Sequence, residues 1–151
     1  MYVDPRGPRF GAAVTTLVLA AVLLTGSGWL LAAQAVVFAT GAIAGLRYAP
    51  YGVLYRRFVR PRLAPPGELE AEAPPRFAQG VGLAFAVVGT VGYLGGVPVL
   101  GLLATAFALA AAFLNAAFDV CLGCEVHLRI TRLVGRPVVR YVPPAQLSRA
   151  S

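Results

Sequence analysis

The chain has no lysine, one histidine, one tryptophan, one methionine and two cysteines in 151 residues. Charge of either sign is thin as well: Asp, Glu, Lys and Arg make up 13% of the sequence, about half the share of an ordinary soluble domain. Each shortage excludes something. Two cysteines cannot hold together a disulfide-rich secreted scaffold. There is no Gly-rich phosphate loop, no nucleophile elbow and no pair of acids at catalytic spacing, so hydrolase, kinase and nucleotide-binding chemistry have no residues to carry them. The shortage of charge, set beside 58% hydrophobic residues and a mean hydropathy of +0.74, excludes a water-soluble globule. A body this small cannot hide so much apolar surface from water, so lipid must cover it.

What charge there is, is lopsided: thirteen arginines against six acids, a net +7. In a soluble protein this would suggest nucleic acid; in a lipid-solvated chain it reports topology, and no nucleic-acid partner is expected. The longest uncharged stretches run from Phe10 to Leu46, 37 residues, and from Phe77 to Phe118, 42 residues. A crossing needs about 20 residues at 1.5 Å rise, so each stretch is long enough for two short crossings. Thr25-Gly26-Ser27-Gly28 and Gly95-Gly96-Val97-Pro98 break the runs near their middles. The expected fold is an all-α membrane protein with four transmembrane helices, near residues 10–25, 29–46, 77–95 and 98–121, forming two short hairpins. On this layout every arginine falls on one side. Both termini and the 47–76 loop are then cytoplasmic, with Trp29 and Tyr93 at the outer interface and Tyr48, Tyr51 and Tyr55 at the inner one. Residues 1–136 make the membrane domain, and 137–151 a basic tail without regular structure.

Arg6, Arg9, the apolar run Val14 to Leu24 and Ala33-Gln34-Ala35 have the layout of a cleavable signal peptide. Cleavage would leave Val36 to Leu46 too short to cross and would strand an Arg-rich segment outside, so retention is expected. A weak internal repeat is visible: Pro8-Arg9-Phe10-Gly11 opens the first hairpin and Pro75-Arg76-Phe77-Ala78 the second. Both enter from one side, so any pseudo-symmetry is about an axis along the membrane normal; Pro-Arg before a span also reads simply as a breaker with an anchoring charge. In the 47–76 loop, Tyr51, Leu54, Tyr55 and Phe58 follow helical spacing, with Arg56, Arg57, Arg60 and Arg62 beside them. This predicts a cytoplasmic amphipathic interfacial helix, ended by Pro61, that binds anionic lipid or a soluble partner. The following strip with Glu68, Glu70 and Glu72 reads as a flexible linker.

Chemistry concentrates where the fourth crossing ends, in Asn115, Asp119, Cys121-Leu122-Gly123-Cys124-Glu125 and His127. Random placement puts two cysteines three apart in only about 1.3% of cases. At that spacing they share a helix face, and Gly123 offers a point where the chain leaves the helix and exposes Cys124. Arg129 and Arg132 favour the thiolate, Glu125 and burial oppose it, and Asp119 is a second proton or tuning group. Thiol–disulfide or sulfane-sulfur exchange is the leading reading, with a resting dithiol in a reducing compartment. Three others stay open: a small-solute transporter or channel subunit using Asn115 and Asp119, as a homo-oligomer; a zinc or copper site from Cys121, Cys124 and His127; and a purely structural pair. No cofactor is expected under the leading reading.

The Asp4-to-Phe10 stretch, Leu46-Arg47-Tyr48-Ala49-Pro50, Pro75 to Gln79, and Phe113 to Phe118 leading into C-x-G-C-E resemble the bacterial membrane family catalogued as domain of unknown function 4395, over roughly residues 4 to 136. That resemblance implies about four spans. It also implies sulfur or redox work beside a thioredoxin-like or sulfurtransferase protein, because genes for such proteins are often neighbours of this family's.

Overall fold

Residues 2–136 and 141–143 are described by the computed structural model. The chain runs β1 (Tyr2–Val3), α1 (Arg6–Thr25), α2 (Gly28–Ala39, continued by a π turn Thr40–Ala44), α3 (Pro50–Leu54, continued through Tyr55–Val59 and Arg60–Arg62), β2 (Leu69–Ala71), α4 (Ala73–Leu94), α5 (Pro98–Phe118), α6 (Leu122–Leu133) and β3 (Tyr141–Val142). The breakers set the ends. Gly26, at φ 66°, closes α1, and the Ser27 hydroxyl accepts the Leu30 N–H at 3.2 Å to open α2. Pro74 and Pro75 lie in the first turn of α4, and Pro98 begins α5, where a missing N–H costs nothing. Three helices, α1, α4 and α5, are long and apolar enough to cross a membrane; Gly28–Ala44 is apolar but shorter. Outward side chains are apolar to match: Leu17 is 72% exposed, and Trp29, Ile43 and Val99 also face out.

Lipid gives helices little hydrophobic reason to associate, so close packing must do it. The core is Leu19, Val22, Leu31, Phe38, Ala86 and Ala108. α4 packs between α2 and α5, and α1 packs on α5. Glycine sets the α2–α4 register. A side chain at Gly89 would run into Leu31, one at Gly82 into Phe38, and one at Gly41 into Gln79. Gly28 meets Leu94 at the far end, so α2 runs antiparallel along most of α4.

Several contacts recur in the two parts of the chain. Arg9 Nε donates to Ala116 O (3.1 Å), at the carbonyl end of α5. Its counterpart Arg76 donates to Ala42 O (3.3 and 3.0 Å) and Ile43 O (3.0 Å), at the carbonyl end of α2. Each hairpin thus supplies the cation that satisfies the other's orphan carbonyls. Each is followed by a short amphipathic helix, α3 packing on α1 and α6 on α4. Phe10 meets Tyr55 at 5.8 Å between ring centroids, and Phe77 meets His127 at 5.3 Å, with similar tilts of 42° and 45°. Leu54 and Phe58 face out of α3 as Val126 and Ile130 do out of α6. Finally, β1 pairs antiparallel with β2 so that Val3 stands opposite Glu70. Val3 and Glu70 each stand about six residues before the arginine of their half, Arg9 and Arg76.

Three sequence expectations for the Arg-rich end change. The stripe in α3 divides: Tyr51 and Tyr55 turn into the protein, where their hydroxyls donate to Gln34 and Asp4, while Leu54 and Phe58 stay outside. The acidic strip is not a linker. Leu69–Ala71 is the middle strand of a three-stranded sheet, Glu70 and Glu72 are buried, and Glu72 Oε1 accepts the Leu46 N–H (3.0 Å) released where α2 ends. Within the tail expected to lack regular structure, Tyr141–Val142 pairs with β2; residues 137–140 and 144–151 lie outside the described residues.

Candidate functional site

The site is built by a break in the chain. α5 stops at Asp119, the only non-glycine residue with positive φ (59°) among the described residues, short and polar enough to hold the left-handed conformation. The fourth apolar run therefore ends at Phe118 rather than near 121. Val120 crosses over, and Cys121 becomes the N-cap of α6, its Sγ accepting the Cys124 N–H at 3.3 Å. Cys121 and Cys124 form a disulfide, with Cα atoms 5.2 Å apart. The pair is the oxidised partner of the dithiol expected at rest.

Gly123 has a different role from the one its spacing suggested. It does not let the chain leave a helix; it lies in the first turn of α6, where a Cβ would come within 2.7 Å of Ala78 on α4. That close approach buries the cysteines. Cys121 is 8% and Cys124 1% exposed, so Cys124 is shielded rather than displayed at the surface. The counterpart contact in the first half has the sizes reversed, Gly11 on α1 beneath Tyr51 on α3.

Cys121 borders a cleft of about 350 Å³ between α1, α2, α4, α5 and α6. Its wall is mostly Ala, Gly, Val and Phe, with the half-buried amides of Asn115 and Gln79 and the Thr15 hydroxyl as polar exceptions. In the first half a chain of hydrogen-bonded side chains lies at the corresponding level. Tyr51 OH donates to Gln34 Oε1 (2.7 Å), and Gln34, 1% exposed, reaches Thr15 Oγ1 (3.5 Å). Gly82 and Gly123 line the cleft without side chains, which leaves room beside Cys121. Only the cysteines and Asn115 marked the cleft in the sequence.

A second cavity of about 370 Å³ lies beside α3, lined by polar groups including Asp4, Arg47, Tyr51, Tyr55, Arg60 and Glu72. Asp4 holds Arg6 in a two-pronged pair (Nε to Oδ1 and Nη2 to Oδ2, both 3.0 Å), accepts the Arg6 N–H at 3.0 Å, and accepts Tyr55 OH at 3.1 Å. Burial pushes the Asp4 carboxyl up, but the Arg6 and Tyr55 hydrogen bonds outweigh it and hold the group below its usual range. Burial, then Asp4, pushes the Tyr55 hydroxyl up. The sequence showed Asp4 and Arg6 but gave no sign that Tyr55 would join them.

The other marked residues separate. Asp119 is exposed on the turn, off the helix that carries Asn115. Glu125 is half-buried in the first turn of α6, and the His127 ring lies on Phe77. Arg56 donates to Arg47 O, Arg57 lies over the Phe58 ring, Arg62 donates to Phe58 O (2.9 Å), and Arg60 borders the polar cavity. Among the described residues no group of three His, Cys, Asp or Glu side chains converges as a metal site, Cys121, Cys124 and His127 included.

No curated protein and no solved structure matches the chain. A family model does, that of Domain of unknown function (DUF4395), over residues 3–132. With nearly its whole described length matched, this chain belongs to the DUF4395 family.

Proposed function

We propose that the chain is an integral protein of the bacterial cytoplasmic membrane whose Cys121/Cys124 pair exchanges disulfide or sulfane sulfur with a soluble thioredoxin-like or sulfurtransferase protein. The observation that carries this reading is the joined pair at the start of α6, with Cys121 facing a cleft and Cys124 behind it. A helix N-terminus favours negative charge on the capping sulfur, which suits Cys121 as the attacking and attacked atom. In exchange, a partner thiolate bonds to Cys121 Sγ and the Cys121–Cys124 bond breaks. Cys124 takes the electron pair as thiolate, and a second partner thiol then resolves the mixed disulfide.

Four crossings fit the register best. α2 follows α4 from Leu94 to the level of Arg76, so it covers the same height with fewer residues. All described arginines then lie at one end, which favours both termini inside, with Arg57, Arg60 and Arg62 near anionic headgroups. Transport through Asn115 and Asp119 has less support, because Asp119 leaves the cleft wall at the break.

Acid trapping of native membranes, alkylation and mass spectrometry test the reading. Cys121 and Cys124 should shift together between dithiol and disulfide or persulfide when cells meet oxidant or sulfide. A pair in one fixed state under all conditions, with Cys121→Ser harmless to partner redox state, would overturn it.

A further inference from the structure

We infer that the cleft beside Cys121 binds a lipid-soluble quinone, which accepts the electrons of the reduced Cys121/Cys124 pair. The inference rests on the redox reading above and names the second partner that a cycling pair requires. A dithiol that is reduced by one partner must give its electrons to another, and the position of the cleft selects that other by chemistry.

The cleft starts at Cys121 and extends along α4 from Pro75 to Phe85, about 15 Å at the helical rise. Its rim residues Phe85 and Phe107 have rings 6.3 Å apart, and Phe107 is 63% exposed on the apolar surface. The entrance therefore faces the bilayer, whereas Cys124 is sealed from water. A soluble oxidant has poor access by this route and a membrane-dissolved one has direct access. The volume, about 350 Å³, suits a substituted ring with the first part of an apolar tail. Asn115 and Gln79 make no side-chain hydrogen bonds within the described residues, so their amide N–H groups are available to ring carbonyls. An acyl chain alone would leave those amides without partners in an apolar wall.

The stoichiometry also fits. Oxidation of the pair breaks two S–H bonds, forms the Cys121–Cys124 bond, and releases two electrons and two protons. A quinone takes up the same two electrons and two protons at its carbonyl oxygens and leaves as the hydroquinone. No further oxidant is needed.

The test uses full-length protein in lipid nanodiscs, reduced and freed of reductant without oxygen, then mixed with decylubiquinone, whose fully substituted ring resists thiol addition. Thiols are counted by mass-tagging and hydroquinone by absorbance. The expected result is one hydroquinone per disulfide formed, and at least a tenfold slower reaction in Ala111→Phe, which fills the cleft away from the sulfurs. Water-soluble diamide should oxidise both proteins at equal rates, which also verifies that the variant is folded. Equal quinone rates in the two proteins would overturn the inference. So would a parent inert to quinone but oxidised by diamide, including one recovered with only a phospholipid chain in the cleft; the redox reading would survive either result. A pair that neither oxidant converts to the disulfide would remove both.

Discussion

The two halves of this molecule share a backbone plan and spend it differently. In the first, Tyr51, Gln34 and Thr15 form a hydrogen-bonded chain between hairpin and following helix, and Asp4 ties Arg6 and Tyr55 together at the Arg-rich end. In the second, His127 replaces Tyr55 against the equivalent phenylalanine, and a cysteine pair begins the helix. Comparing them separates what the plan requires from what one copy adds. Arginine on the other hairpin's carbonyls and a ring stacked on Phe10 or Phe77 belong to both. An open cleft next to sulfur belongs to one.

The comparison can be broken most severely at its tightest contact. Gly123→Tyr places the first half's tyrosine in the second, against Ala78 at a distance no Cβ tolerates. It should cost about 3 kcal/mol, the upper range for overpacking, and pairing it with Ala78→Gly, which copies Gly11, should recover most of that. Thermal unfolding in detergent reads both; a double variant no better than the single would mean the halves are not interchangeable there. Next come the crossed arginines. Arg76→Ala loses three hydrogen bonds and Arg9→Ala one, so Arg76→Ala should destabilise by about 2 kcal/mol and Arg9→Ala by about 1, and the reverse order would deny the asymmetry.

In the first half acid should act through Asp4. The Asp4 carboxyl is held below its usual 3.8, so its contribution is intact above that pH and fades as the pH falls through the lowered value. Asp4→Asn should flatten this acid limb of the melting curve, and an unchanged limb would show that another carboxyl controls it. The smallest effect is expected from His127→Tyr, which gives the second half the first half's ring on Phe77. It should move stability by less than about 0.5 kcal/mol and leave the thiol redox state unchanged. A large loss would assign the imidazole a role beyond stacking.

Much of the bundle was legible because its signals are long. Uncharged runs, Gly-rich turns and Pro-Arg-Phe in both hairpins gave the long helices and the repeat. What stayed hidden depends on single residues whose partners are distant in sequence. Nothing near Asp119 is a proline or glycine, so the helix break four residues after Asn115 had no sequence mark; a short polar side chain in the left-handed region makes it. Leu69–Ala71 is a three-residue strand, too short for periodicity, although alternating glutamates at 68, 70 and 72 do have its period. The Cys121/Cys124 spacing stood out at once. Its burial did not, because that depends on Gly123 meeting Ala78, a contact across the repeat's own interface.

The pairing of Val3 with Glu70 has a consequence for assembly. An antiparallel strand pair with equivalent residues opposite each other is self-complementary, the condition for a closed twofold dimer. Two copies of a half-length chain would meet through the same strand and the same exchanged arginines, and in such a dimer every change would appear twice. Joining the halves in one polypeptide frees each from its twin, so that one can carry the Asp4, Arg6 and Tyr55 cluster while the other carries a cysteine pair beside an apolar cleft.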